Sequence, residues 1–501
     1  MSESGVRIIL QRHRILITGY TLPKGTQGWL PNIFCVWDTK SKKFIKDKRY
    51  SYLDEKTGDI IIPRTANLTK IIQRVRSTNL WYEGTFDESN ENLVEYRLMS
   101  SPITLKQGVT PKDQFQIESV KFLTSVLGNN MHHRLLTLPT GNGKTFCALH
   151  AMSIYNRKTL IVADSLVDQW ANEILSKLTI SYKKVYEIKD SIDSVKKLLS
   201  KEIHPSKYDV YVASLRTLLN AQEQGLYDPM IRKLGIGLKI IDEIHRSTYS
   251  QIFLDMCSPI QETIFLSATP ARSSPAEDYV YKQVFTNLPS YGEEVKEMKK
   301  KYLKVINIEY DTHPNYQVVA KCNNWYGFQT ARFAEHIFSP QCHNIIFDIL
   351  KYVIDLTIEH VDPDEKIVII FERKVDVLLT LDVLKRLYPD VSIGDYTSNV
   401  KKSEKVDNLK NKIILSTDES FGTGSDLHGK LRVLVNTITY NSKVTAEQLP
   451  GRLREIPGKS VYYIDLVNTG FKRTVEHFRN RSKVISRYAR GVDKRVYGVD
   501  I

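Results

Sequence analysis

Cysteine is scarce and scattered in this sequence. Its five occurrences, at 35, 147, 257, 322 and 342, lie far apart and form no C-x-x-C pair, which argues against a disulfide scaffold, a zinc ribbon and a four-cysteine iron–sulfur cluster. Long apolar runs are missing too: no window reaches the ~18 uninterrupted apolar residues that a membrane span needs. Arg7, Arg12 and Arg14 break up the first twenty residues, so no apolar core of a secretory signal forms there. No repeat of roughly 20–50 residues recurs, which argues against a solenoid or propeller. What is present is ordinary for a globular chain. Of 501 residues, 42% are hydrophobic and 26% charged, enough for roughly three domains of ~150 residues. The expectation is a reduced, cytoplasmic, multidomain protein with no membrane partner.

Acidic residues are in short supply, and the shortage is local. The net charge is +14. Residues 1–50 hold ten Lys/Arg against three acids, and residues 471–501 hold nine against three, leaving the long middle at +1. Basic ends on a near-neutral body point to a polyanionic partner, nucleic acid first, over a merely solvated face.

Along the chain the texture changes once. Up to about 105 the runs VRIILQ, RILITGY, IFCVWD, KFIKD and DIIIPR are short and apolar or alternating, with turn residues between them, so they read as strands. The stretch 67–77 carries Leu68, Ile71, Ile72 and Val75 at helical spacing behind Asn67 as a cap. From about 106, buried-strand runs alternate with helical stretches such as SLVDQWANEILSKL. RLLTL, TLIVAD, VYVAS, LKIID and TIFLSAT form one series; KIVIIFE, VSIGDYT, KIILST, RVLVN and VYYIDLV form a second. That alternation predicts mostly parallel sheets covered on both faces. The polar region 272–345, with its run Lys299–Lys301, reads as the end of the first unit plus a connection.

Leu138-Pro139-Thr140-Gly141-Asn142-Gly143-Lys144-Thr145 comes after a strand run and precedes a helical one, the context a phosphate-binding loop requires. Gly141 and Gly143 let backbone N–H groups curl around phosphate oxygens at a helix N-terminus. Lys144 would reach the β- and γ-phosphates and the Thr145 hydroxyl would ligate Mg²⁺. Leu138 stands where the general pattern has its first Gly. Asp242-Glu243-Ile244-His245 closes the strand run LKII, so its carboxylates face the carboxyl-end crevice of a parallel sheet. Asp242 suits Mg²⁺, and Glu243 suits orienting and deprotonating a water.

Over roughly residues 110–470 the order and spacing of such segments resemble the superfamily 2 DExH-box helicases and translocases. Phe115-Gln116 is similar to the adenine-reading element ahead of the phosphate loop. LIVADSLVDQW at 160–170 and VASLRTL at 212–218, with Arg216, look like strand-binding motifs. FLSATP at 265–270 matches the coupling motif, and IVIIFERKVDVLLTL at 367–381, with Arg373, the motif opening the second motor domain. STDESFGTGSD at 416–426 and EQLPGRLR at 447–454 resemble motifs five and six. In motif six Gln448, Gly451 and Arg452 fit, whereas Glu455 holds the second Arg position and Arg454 comes one step early.

The resemblance implies an α/β fold: two RecA-like parallel-sheet motor domains in tandem plus a small β-rich α+β N-terminal domain. The expected division is 1–105, an accessory and DNA-binding domain; 106–300, the first RecA-like domain; 301–345, a connection; and 346–501, the second with its basic end. ATP and Mg²⁺ are the implied cofactors. ATP is expected on Phe115, Gln116, 139–145, Gly424 and Asp426, with Gln448, Arg452 and Arg454 completing the catalytic set. His245, Ser267, Thr269 and the segment Gly424–Asp426 would relay nucleotide state. Within the family the likeness leans to the phage UvsW-like branch-migration group. That implies branched or forked DNA as partner, recombination or replication proteins beside it, and host-cell cytoplasm if phage-encoded. An RNA helicase, or an ATP-switched DNA-binding subunit that separates no strands, stays open.

Lys42, Lys43, Lys46 and Lys48 are the basic run most suited to nucleic acid. Trp29, Trp37 and Trp81-Tyr82 could stack on bases, but in a β-rich domain they read first as core. Trp325-Tyr326 could sit at a strand-separating element, and His132-His133 reads as an exposed turn. Arg452→Ala and Arg454→Ala, assayed separately, test motif six. The variant that removes the arginine finger is expected to lose roughly 10³–10⁵ in ATP turnover; if neither slows hydrolysis, that alignment fails.

Overall fold

The computed structural model describes residues 6–19, 30–38, 41–76, 82–83, 93–128, 131–139, 141–164, 166–201, 203–268, 275–292, 301–324, 327–400, 402–422, 427, 429–456 and 458–501. Trp29, Trp81, Thr140, Thr269, Trp325, Tyr326, Gly424 and Asp426 lie outside them. Two compact units are present, 1–296 and 297–501. Among the described residues no helix is long and apolar enough to cross a membrane, and all five cysteines are free thiols.

In the first unit seven parallel strands run in the spatial order Val185–Ile188, Val210–Ser214, Thr159–Ala163, Leu238–Ile241, Glu262–Ser267, His133–Thr137, Ser290–Tyr291. Both faces are buried, which is why the strands read as unbroken apolar runs. Along Thr159–Ala163, Leu160 and Val162 enter one core cluster while Ile161 and Ala163 enter the other. Two strands escaped the sequence: VYEI, half polar at the sheet edge, and the two-residue Ser290–Tyr291.

The N-terminal segment forms the five-stranded sheet Tyr52–Leu53, Ile60–Pro63, Arg14–Thr18, Val6–Leu10, Tyr82–Glu83, plus the hairpin Cys35–Asp38/Lys43–Arg49. The helix Leu68–Arg76 starts as expected, with Lys70 N–H donating to Asn67 Oδ1 at 3.0 Å. This segment does not stand apart as an accessory domain. Its Ile8, Ile15, Ile60 and Ile62 belong to the same core cluster as Ile241, Ile252 and Phe265 of the α/β layer. Tyr50 packs on Tyr249 (4.6 Å between ring centroids) and Tyr52 on Phe253 (4.7 Å). Asn287 N–H donates to the Thr65 carbonyl at 3.0 Å. Residues 94–105 already belong with the α/β unit: Arg97 N–H donates to the Gly235 carbonyl and Met99 N–H to the Asn156 carbonyl.

The second unit repeats the architecture. Its parallel order is Ile393–Tyr396, Ile413–Thr417, Lys366–Phe371, Leu431–Asn436, Val461–Asn468, Leu303–Tyr310, Ala489–Val496. The expected connection 301–345 therefore gives way in its first third. Leu303–Tyr310 pairs along its length with Val461–Asn468 and Ala489–Val496. LKVINIEY interleaves polar residues with apolar ones, so it lacks the continuous apolar signature of a central strand. ARGVDKRV is masked for the opposite reason: it is an edge strand, largely exposed and charged. Arg481 on the helix Lys472–Ile485 is buried and bidentate to Asp465 (2.8 and 3.1 Å), whose Oδ1 also accepts from Asn436 Nδ2 at 2.8 Å. The sequence counted Arg481 among the basic end available to a polyanion, but Asp465 holds it in the core.

A second buried polar cluster joins the N-terminal sheet to the α/β unit. Asp255 accepts from His133 Nε2 (2.8 Å), Thr263 Oγ1 (3.1 Å) and Lys239 Nζ (2.6 Å); burial works to raise its carboxyl, but Lys239 and His133 hold it well below the usual range. His133 is thus a buried strand residue, not an exposed turn. His13 lies close by, and burial, with Arg14 adding to it, pushes its imidazole down from 6.5 to about 3. A group with a depressed folded-state pKa is destabilising as pH falls, because the unfolded chain binds the proton first. Between pH 6.5 and about 3, stability is expected to fall by an extra ~1.4 kcal/mol per pH unit. Urea unfolding across that range should show this slope, and His13→Gln should remove it.

Candidate active site

The spatial strand order places the carboxyl ends of His133–Thr137, Glu262–Ser267 and Leu238–Ile241 side by side. The segments leaving those ends therefore converge: the phosphate loop, Ser267 and Asp242–His245. In the loop Gly141 and Gly143 both take φ of +83°, which side chains rarely adopt. Gly143 is also a close approach: a Cβ there would lie 2.2 Å from Gln116 Nε2. The helix Lys144–Tyr155 begins immediately, so its first N–H groups face the loop. Lys144 is 8% exposed and donates to the Leu138 carbonyl at 3.0 Å.

Gln116 sits where the chain needs a clamp. Asp113 caps the helix Gln114–Thr124 by accepting from Gln116 N–H at 2.9 Å. The Gln116 side chain then accepts from Lys112 N–H (2.9 Å) and donates to the Asn142 carbonyl (3.3 Å). It is 5% exposed, so its amide braces the phosphate loop; the adenine-reading role expected of it would use the remaining N–H. Phe115 packs against the core cluster of this face.

Asp242 is buried at the strand end. Oδ2 accepts from Trp170 Nε1 (2.8 Å) and Oδ1 from Glu243 N–H (2.9 Å). Burial pushes its carboxyl up, and the Glu243 charge beside it adds to the rise, while Trp170 and Lys144 act against it. Such a carboxylate has use for a cation in front of it. With Thr145 it could hold Mg²⁺, and the desolvated, acid-flanked oxygens fit a divalent ion. Glu243 takes φ of +47°, backbone strain at the position that aims its carboxylate. Its Oε2 lies 3.1 Å from His245 Nδ1, which in turn lies 3.2 Å from Ser267 Oγ. These distances put Glu243, His245 and Ser267 in one contiguous chain; Thr269, also expected in the relay, lies outside the described residues. Among the described residues no group of three His, Cys, Asp or Glu forms a metal cluster.

Two supports were not legible. Trp170 was read inside a strand-binding segment, yet it donates to Asp242 from the helix Val167–Lys177. Gln251 Nε2 donates to the Asp242 carbonyl at 3.1 Å. The available signal was that a buried indole needs an acceptor for its N–H.

Of the other predicted residues, Arg216 is exposed in the first turn after strand Val210–Ser214, at the same carboxyl edge. In the second unit, Arg373 comes just after strand Lys366–Phe371 and is bidentate to Asp376 (2.9 and 2.6 Å). Gln448 ends the helix Lys443–Gln448, and Arg452 lies in the 3₁₀ turn Pro450–Arg452. Arg452 and Arg454 have different surroundings: the charge of Arg452 is felt by Tyr396, that of Arg454 by Tyr302. Lys42, Lys43 and Lys46 are exposed, whereas Lys48 is tied to Glu277 in an ion pair.

Residues 110–272 match the family model described as type III restriction enzyme, res subunit. No curated protein sequence matches. Among solved structures, S. cerevisiae Dbp5 bound to RNA and ADP BeF3 is similar at 14% identity, covering 76% of this chain and 89% of that one, TM-score 0.52. A fragment of a putative HsdR subunit of a type I restriction enzyme from Vibrio vulnificus YJ016 is similar at 18% identity, covering 76% and 68%, TM-score 0.50. T4 UvsW is covered over 99% of its length by 98% of this chain at 15% identity, but the TM-score is 0.37, too low to bear on function. The fold is that of two RecA-like domains in tandem.

Trp170→Phe keeps the ring and deletes the donor to Asp242. It is expected to raise the Mg²⁺ concentration for half-maximal ATP hydrolysis roughly ten-fold, as loss of a partner behind a metal ligand does. A Mg²⁺ titration of ATPase rate checks this.

Proposed function

We propose that the chain is an ATP-driven DNA motor that unwinds or branch-migrates forked and Holliday-junction DNA in replication, recombination and repair. The observation that carries the ATPase part is the convergence of Lys144, Asp242, Glu243, His245 and Ser267 at one carboxyl edge. Lys144 holds the β- and γ-phosphate oxygens, and the loop N–H groups cradle them. Asp242 and Thr145 would hold Mg²⁺, which would supply charge neutralisation for the transferred phosphoryl group. Glu243 orients water for in-line attack and takes its proton as the bond from phosphorus to the β–γ bridging oxygen breaks, giving ADP and phosphate. Strain at Glu243 and its contact to His245 tie that event to Ser267, and so to the segment that reports nucleotide state.

A nucleic-acid track is supported by the basic N-terminal and C-terminal segments, and DNA as that track by the restriction-enzyme description of the matched family model. The competing track is RNA, which the similar yeast Dbp5 structure contains. Contacts to phosphate would make binding tolerant of sequence and sensitive to salt.

Lys144→Ala is expected to abolish nucleic-acid-stimulated ATP turnover with the fold intact by circular dichroism. Glu243→Gln should bind ATP and nucleic acid yet hydrolyse at least ~10²-fold more slowly. The deciding panel compares ATPase stimulation and unwinding on single strands, forks, Holliday junctions and RNA duplexes of matched length. Stimulation by RNA alone would overturn the DNA reading.

A further inference from the structure

Between the hairpin Cys35–Asp38/Lys43–Arg49, the helix Leu68–Arg76 and the helix Pro275–Val284 lies an open cavity of about 650 Å³. Its volume falls within the ~300–1,000 Å³ typical of small-ligand sites. We propose that it binds an unpaired nucleotide of a single strand, stacking the base on its aromatic rings and placing the adjoining phosphates on Lys70, Arg74 and Lys46. This rests on the nucleic-acid reading above and adds a site to it.

Three aromatic rings line the cavity. Trp37 and Phe44 face each other across the hairpin, with centroids 4.8 Å apart at 75°, so each keeps at least one flat face clear of the other. Tyr279 comes from the opposite wall. Trp37 is 38% and Tyr279 58% exposed, although both are large rings that burial would stabilise. Trp37 is therefore not the core residue that a β-rich domain suggests. The cavity is built from elements the common core welds together, so its walls hold their spacing.

Among the described lining residues the charge around the rings has one sign. Among the described residues the lining contains Lys70 and Arg74 and no acid. Lys70 Nζ stands over the rings of Tyr279 (4.8 Å from its centroid) and Phe34 (5.6 Å), so one face of Tyr279 carries a cation within the cavity. The acids of the helix Pro275–Val284 are matched elsewhere: Glu277 pairs with Lys48 and Asp278 with Lys282. Along the strand Lys43–Arg49, Lys46 shares the face of Phe44 and lies about 7 Å further on. Rings interleaved with cations, at a mouth open to solvent, are the chemistry that reads single strands without regard to sequence. A duplex, whose bases are stacked on one another, offers this cavity no free base.

The test uses the full chain and fluorescence anisotropy with labelled single strands of about 12 nucleotides, in DNA, RNA and abasic DNA forms. Tyr279→Ala is expected to weaken binding of the base-bearing strands by about 5- to 150-fold. It should leave the abasic strand within about two-fold. The DNA and RNA arms show which source of unpaired base the cavity prefers. Trp37→Phe, which keeps a ring, should retain most of the affinity. Quenching of 2-aminopurine in the strand should be lost in Tyr279→Ala. Equal weakening on the abasic strand, or no weakening on any, overturns the proposal; so does an acidic peptide displacing all three strands alike. Failure of the motor reading shows separately. Base-dependent binding without stimulated ATP turnover removes the motor and keeps the site, whereas stimulated turnover indifferent to Tyr279→Ala does the reverse. Tyr279 has no part in the ATP machinery, so turnover without nucleic acid serves as the folding control.

Discussion

A carboxylate taken out of water at the end of a buried strand governs the first unit. Asp242 keeps its charge only through what surrounds it: the Trp170 indole N–H, the amide of Glu243 and the nearby Lys144 ammonium. Burial and neighbouring Glu243 both work against it, raising its carboxyl above the usual range. The strained backbone at Glu243, the Gln251 brace and the His245–Ser267 contact all keep this group in place. The nucleotide and Mg²⁺ of the proposed function would meet here a glycine-rich loop beside two acids, a donor set that suits phosphate oxygens and a divalent ion.

The N-terminal segment alters how that unit is understood. A basic, β-rich stretch invites a picture of a separate domain on a tether. Instead, one hydrophobic cluster runs from Val6 to Leu288, and the Asp255 cluster with His13 lies buried where the two parts meet. Rigid attachment lets residues far apart in sequence, such as Trp37 and Tyr279, share one cavity wall to wall. It also turns part of the basic run inward, since Lys48 serves an ion pair with Glu277.

The second unit is held by the same principle with other residues. Arg481 and Asp465 are buried together with Asn436, a charge pair joined by two hydrogen bonds with a third from the Asn436 amide. Removing one partner would strand the other in low dielectric, which is far costlier than the net worth of the pair. The net charge of the C-terminal stretch therefore overstates what its surface offers to a polyanion.

The amino-acid sequence by itself marked the glycine-rich loop at 138–145, the acids at 242–243 that end a strand, and the apolar central strands of both large sheets. Parallel strands covered on both faces must be continuously apolar, and phosphate cradles must be glycine-rich, so both leave local marks. Strands that alternate or lie at an edge, such as Leu303–Tyr310 and Ala489–Val496, leave none. Only the tertiary structure decided that strands ending at 137, 241 and 267 stand side by side, that Trp170 serves Asp242, and that the N-terminal sheet shares a core with the α/β layer. Strand order and side-chain pairing between distant stretches of chain depend on how crossovers pack on a sheet, a long-range choice that no window of sequence contains.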